Sequence, residues 1–242
     1  MNGESWTKSL WIVIFLLVLC QACAPTKTFR TNPQFDTRIA AVSKPGFLPV
    51  DAKVYELGAG GIEELQDEWS AEAAKHIQGS CTECLGQKQR KVEPIVVSKE
   101  IEEELEDIQA LYRAVSTSIL LHTYTEPNLF PEKLNSFDYT LGPIHDLLAK
   151  VNADALIFVY AQDEISTAGR QALMATGVVL GALTGVYVVP RGGVAVISLA
   201  VVDSSGDILW FNVQSGDQYD LRKPEDVKTL VTALLADFPA GR

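Results

Sequence analysis

"ADALIFVYA" (153–161) and "GVAVISLAVVD" (193–203) decide the fold, because each is an unbroken, strongly apolar run of strand length. A half-exposed strand alternates apolar with polar residues, whereas a strand covered on both faces is free of that alternation. Both runs therefore read as inner strands. "DSSGD" (203–207) then turns the chain into "ILWFNV" (208–213), so the second run and its successor form a hairpin. Pro224 opens a closing helix that gathers Val227, Leu230, Val231, Leu234, Leu235 and Phe238 on one side.

Upstream, "GFLPV" (46–50) and "KVYEL" (53–57) are short strand-like pieces. "GAGG" (58–61) separates them from a helix whose stripe runs Ile62, Leu65, Trp69, Ala73 and Ile77. "VEPIVV" (92–97) is again strand-like. Ser98 is placed to cap a long helix carrying Ile101, Leu105, Ile108, Tyr112, Val115 and Ile119 along one face, with Glu100, Glu102 and Glu103 at the positive end of its dipole. Residues 126–141 hold two prolines and two phenylalanines without periodicity, an irregular excursion packed by its aromatics, and a helix follows from Pro143 to Val151. The order, approximately βαβα(α)ββ(β)α, predicts a single layered α/β domain with a mixed β-sheet flanked by helices.

The chain has 242 residues and 47% hydrophobic content, enough for one sizeable core. Its formal net charge of −11 disfavours capture of nucleic acid or of an anionic membrane surface, which reward clustered Lys and Arg. The acidic run "KEIEEELEDIQ" (99–109) reads as the solvated face of a helix.

At the N-terminus, "SLWIVIFLLVLCQAC" (9–23) contains an apolar stretch from Leu10 to Leu19, short for a membrane span and followed by small residues and cysteines. It reads as a secretory signal peptide. "LCQACAP" (19–25) resembles the lipobox of bacterial lipoproteins, in which a small residue precedes the cysteine that is acylated and becomes the mature N-terminus. Ala22 and Cys23 match that pattern, while Cys20 stands where the lipobox usually has Leu. The resemblance implies lipid, palmitate included, on Cys23 and stable anchoring. Ala24, rather than Asp, follows Cys23, which in lipoproteins of Gram-negative bacteria implies the outer membrane, with the domain facing the periplasm. Cleavage after residue 22 removes both Lys8 and Glu4, so the net charge is unchanged. The expected organisation is a signal peptide over 1–22, a lipidated tether over 23–37 and an α/β periplasmic domain over 38–242, with a glycine-rich apolar insertion at 168–191.

"NADALIFVYA" (152–161) feeding an insertion and then "VAVISLAVVDSSGDILWFN" (194–212) resembles the small α/β domain shared by the curli-secretion lipoprotein, the lipoprotein activators of peptidoglycan synthases and the TolB N-terminal domain. "KVYELGAGGIEELQDEW" (53–69), "STAGRQALM" (166–174) and "SGDILWFN" (205–212) are similar to a family of poorly characterised Gram-negative lipoproteins with that domain. These relatives include assembly platforms, enzyme activators and a secretion pore, and none of those roles follows from fold alone.

The residues point to no catalytic centre, cofactor or metal. His76, His122 and His145 sit in no nucleophile or metal motif, and His122 falls on the apolar stripe of the long helix. Cys81 and Cys84 in "CTEC" lack the further ligands that structural zinc needs, and in an oxidising periplasm they are expected to pair as a disulfide. "GAGG" departs from the dinucleotide pattern at Glu63 and is crowded by Glu64, Asp67 and Glu68, so a tight strand-to-helix turn is expected.

From Gln171 to Pro190 no residue is charged, and Gly177, Gly181 and Gly185 recur at four-residue spacing. The expectation is a glycine-zipper helix whose flat face lets another helix approach, in the same chain or in a homo-oligomer. The function expected is that of a non-catalytic outer-membrane lipoprotein binding an envelope protein in transport, assembly or wall synthesis. The alternative is an oligomeric pore or secretion-channel component that uses residues 171–190.

Overall fold

The computed structural model describes residues 28–184 and 193–241. Its centre is the pair of runs singled out above. Strand β6 (Ala155–Ser166) lies antiparallel to β7 (Ala195–Asp203), which forms a hairpin with β8 (Ile208–Gly216). On the far side of β8 lies β1 (Phe29–Thr31), also antiparallel, so the expected tether over 23–37 is corrected: its second half belongs to the sheet and to α1 (Phe35–Ala41). On the other side of β6 two short strands share one neighbour. β2 (Pro45–Phe47) runs parallel to the start of β6, and β3 (Asp51–Leu57) runs parallel to its end. Beyond them lie β4 (Glu63–Leu65), antiparallel to β3, and β5 (Glu93–Pro94), parallel to β2. The eight strands form one mixed sheet.

Side-chain alternation along β6 explains why that run needs no polar residues. Ala155, Ile157, Val159 and Ala161 enter one apolar cluster, while Leu156 and Phe158 enter a second on the opposite face. The first cluster is closed by α2 (Asp67–Gln87) and α7 (Pro224–Leu234), whose Val227, Leu230, Val231 and Leu234 are buried together with Leu235 and Phe238 just after the helix. The second is closed by α3 (Glu102–Thr123), by Phe137 just after the short α4 (Pro131–Asn135), which itself buries no residue, and by α5 (His145–Val151). Between β7 and β8 the register shifts at Val201/Val202, so Leu209 and Trp210 both enter the first cluster and Phe211 returns to the second. Tyr112 of α3 donates its hydroxyl to Ser198 Oγ at 3.2 Å, tying that helix to mid-sheet.

At the β7–β8 turn, Gly206 has φ of +83°, and a Cβ there would lie 1.7 Å from the carbonyl oxygen of Gly142. Only glycine fits. Arg38 of α1 reaches this turn, its Nε 2.8 Å from Asp203 Oδ2 and its Nη1 2.8 Å from Asp207 Oδ2.

Three local expectations are corrected. Ile62 and Leu65 do not begin a helix: they belong to the turn and short strand that double back along β3, with Leu65 opposite Tyr55, and α2 starts at Asp67. The GAGG turn is accordingly a strand-to-strand turn, closed by bonds from Gly58 N to Ile62 O and from Gly61 N to Gly58 O, both 2.9 Å. Ser98 does not cap α3; it opens a turn in which Ile101 N donates to Ser98 O, and Ile101 is the residue preceding the helix.

Candidate interaction surfaces

Two exposed regions lie at the rim of the sheet. The first is the outer edge formed by β4 and β5. These strands pair with only residues 55–57 of β3 and 46–47 of β2, so among the described residues no strand covers positions 48–53 on that side. The gap opens onto a groove of about 710 Å³ bordered by Phe47, Pro49, Gly79, Thr82 and Ile95. α3 reaches the same gap from the other face: Gln109 Nε2 donates to Pro49 O at 2.8 Å, and Arg113 pairs with Asp51. Immediately after β5 the chain presents Val96, 85% exposed, and Val97, 43% exposed. Pro94 has no N–H to extend the ladder, which keeps "VEPIVV" from becoming a full strand and leaves its valines outside.

The second region is the end of the sheet where β6 stops and β7 begins. Helix α6 (Ala168–Thr184) leaves from there. Its first turn is tied down: Thr167 N donates to Leu57 O, and Arg170, only 8% exposed, directs Nη1 toward Gly58 O at 3.4 Å. Beyond it, Gln171, Ala172, Leu173, Ala175 and Thr176 are all exposed, and only Met174 among 171–176 is partly covered. A helix lying on a core hides every third or fourth residue. Exposure at five of these six positions means that residues 171–176 stand clear of the body. Ile62, Leu173 and Val194, all exposed, ring that root. Gly193 closes the return: a Cβ there would sit 1.3 Å from Glu164 O, so no side chain fits where the chain re-enters the sheet.

Close to the same end, Asp163 of β6 is 1% exposed and accepts a 2.8 Å hydrogen bond from Leu221 N. Burial pushes its carboxyl up to about 6, the Leu221 N–H opposing and nearby Asp220 reinforcing that rise. Asp220 itself is paired with Arg222, whose guanidinium lies 4.5 Å from the Trp69 ring centre. This network fastens the β8–α7 loop across the sheet.

The other residues marked in the sequence separate rather than converge. Gly177 and Gly181 lie in α6 on one face, whereas Gly185 falls outside the described residues, as does Cys23. Cys81 and Cys84 stand one turn apart in α2 as free thiols where a disulfide is expected. Cys81 is sealed in the core, where burial raises its thiol, and Cys84 Sγ lies 4.0 Å from Thr232 Oγ1. His122 is engaged on every side, stacked on Phe130 at 4.2 Å with Nδ1 near Ser118 Oγ and Tyr139 Oη. His145 is exposed beside Asp146, and His76 lies on α2. Among the described residues no three His, Cys, Asp or Glu side chains form a metal-binding group, and no helix is long and apolar enough to cross a membrane. The exposed valines of the edge are the functional candidates that periodicity missed; Pro94 inside an apolar run was the available signal.

No protein-family model matches the chain, and no curated protein matches it. Among solved structures it is similar to the PelC dodecamer from Paraburkholderia phytofirmans, at 9% identity and a TM-score of 0.41, over 88% of this chain and 96% of that chain.

Proposed function

We propose that the protein is a non-catalytic lipoprotein of the outer membrane, anchored through Cys23, whose periplasmic α/β domain binds an envelope protein along the open β4–β5 edge. The observation that carries this reading is that edge: among the described residues no strand pairs with the outer side of 51–53 at the start of β3 or of the 48–50 segment before it, and Val96 and Val97 stand in solvent nearby. Unpaired strand edges recruit extended segments of other chains, with backbone bonds supplying affinity and apolar side chains supplying contact. An edge of this kind left bare would promote aggregation, which argues for a resident partner. Engagement of His122 and burial of Cys81 also support a binding role over a catalytic one. A photo-crosslinking residue at Val96, used in intact cells, is expected to capture one protein repeatedly, and Val97→Lys is expected to abolish that adduct. Capture unaffected by Val97→Lys would reject the edge as the binding surface.

A further inference from the structure

Strand β1 fixes the direction in which the N-terminal chain leaves the domain. Its register, Phe29 opposite Asn212 and Thr31 opposite Trp210, means that tracing the chain backward from Thr31 moves along β8 toward Gly216. Gly216 lies opposite Ala195, at the end of the sheet from which α6 departs. The Asp203–Asp207 turn lies at the other end. From the level of Asn212 to that of Gly216 is roughly 13 Å of strand. The six residues from Cys23 to Phe29 span at most about 21 Å. Cys23 can therefore reach up to about 8 Å past the α6 end of the sheet, which brings that end, and not the Asp203–Asp207 turn, within reach of a bilayer holding its lipid.

We propose that the first turns of α6, through the exposed residues 171–176, and the apolar ring at its root rest on the lipid surface, the bilayer being the occupant of this face; this rests on the reading of Cys23 as the acylated anchor. The helix has 17 residues and none of the chain from Gln171 to Pro190 is charged. At about 1.5 Å per residue it is near 25 Å long, suited to lying in the interface and short of the hydrocarbon thickness. Leu173, Ile62 and Val194 supply apolar contact that water otherwise surrounds. Glu63 and Glu64, exposed beside Ile62, oppose anionic headgroups, so the contact is apolar and favours neutral lipid. The domain thereby acquires an orientation: β4, beside the end of β6, stands nearest the membrane, while β5, beside the start of β6, and the Asp203–Asp207 turn lie farther from it.

The test uses the full-length acylated protein in phosphatidylcholine vesicles containing acyl-chain-brominated lipid. Leu173→Trp is compared with Ser204→Trp, an exposed position on the distant turn, the chain's other tryptophans being common to both. Bromolipid is expected to reduce the emission added by Leu173→Trp about two-fold or more and to leave that added by Ser204→Trp unchanged, as expected for an interfacial side chain. Replacing phosphatidylcholine with phosphatidylglycerol is expected to weaken that quenching. Unquenched Leu173→Trp on a protein whose Cys23 is acylated by mass spectrometry overturns the inference and leaves the anchor intact. If light scattering then shows an oligomer that Leu173→Glu dissolves, a second copy covers α6 instead. Absence of acyl groups on Cys23 overturns the anchor and this inference together.

Discussion

Asp163 is a carboxylate placed where the fold has little use for charge. Its side chain is nearly fully buried in β6, and the one bond it is seen to accept from a neighbouring loop comes from Leu221 N. With its carboxyl pushed up to about 6 by burial, the folded chain binds that proton more tightly than an unfolded chain, whose Asp titrates near 4. Below about pH 4 the group is neutral in both states and imposes no penalty. Between about 4 and 6 stability falls as pH rises, and above 6 the full penalty is present. Asp163→Asn retains an oxygen to accept from Leu221 and removes the charge. It is expected to stabilise the domain by about 3 kcal/mol near pH 8, a gain that vanishes toward pH 4. Urea unfolding at both ends of that range measures it; an equal gain at both would show that packing, not ionisation, governs the site.

At the level of elements, the root of α6 is tied to the body through the Thr167 N–Leu57 O bond and through Arg170. Arg170→Ala removes the contact to Gly58 O at the GAGG turn. Residues 171–176 beyond it hide little, so the expected outcome is faster amide exchange over 168–176, by ten-fold or more if the bond contributes about 1.5 kcal/mol, with the melting temperature of the body nearly unchanged. Loss of protection throughout β6 and β7 would instead show that α6 folds with the core. The same elements show what the sequence made legible. β6, β7, β8 and α7 could be read because their apolar patterns match burial on two faces of a sheet or one face of a helix. Leu65 could not: it keeps helical spacing with Trp69 and Ala73, and only its pairing with Tyr55, a contact made in three dimensions, places it in a strand. Phe29–Thr31 failed for a similar reason, since a three-residue edge strand has no period of its own and takes its structure from β8. For the candidate surfaces, the uncharged run marked α6 as unusual, but its exposure depends on what fails to pack against it. Sequence spacing carries no record of that.

On the scale of the whole molecule, the two surfaces face different surroundings. Residues 48–53 with Val96 and Val97 lie along the side of the sheet, whereas Leu173 and Val194 lie at its end, and the body between them is a continuous core with α2 and α3 on opposite faces. Mutations more than about 10 Å apart with no shared partners act independently. With Val194→Trp, exposed at the same root, as the reporter, Leu173→Glu is therefore expected to lower bromolipid quenching while leaving the Val96 adduct intact, and Val97→Lys to do the reverse. The double variant should show both losses at the size of the single ones, with circular dichroism and melting temperature close to the parent, since Leu173 and Val97 are 48% and 43% exposed. A Leu173→Glu protein that keeps its fold and its acyl anchor yet loses the Val96 adduct would show that the membrane presents the edge to its partner, making lipid contact a condition for binding. Restoring the adduct by tethering the Leu173→Glu domain through a transmembrane segment in place of the acyl group would then separate orientation from mere proximity.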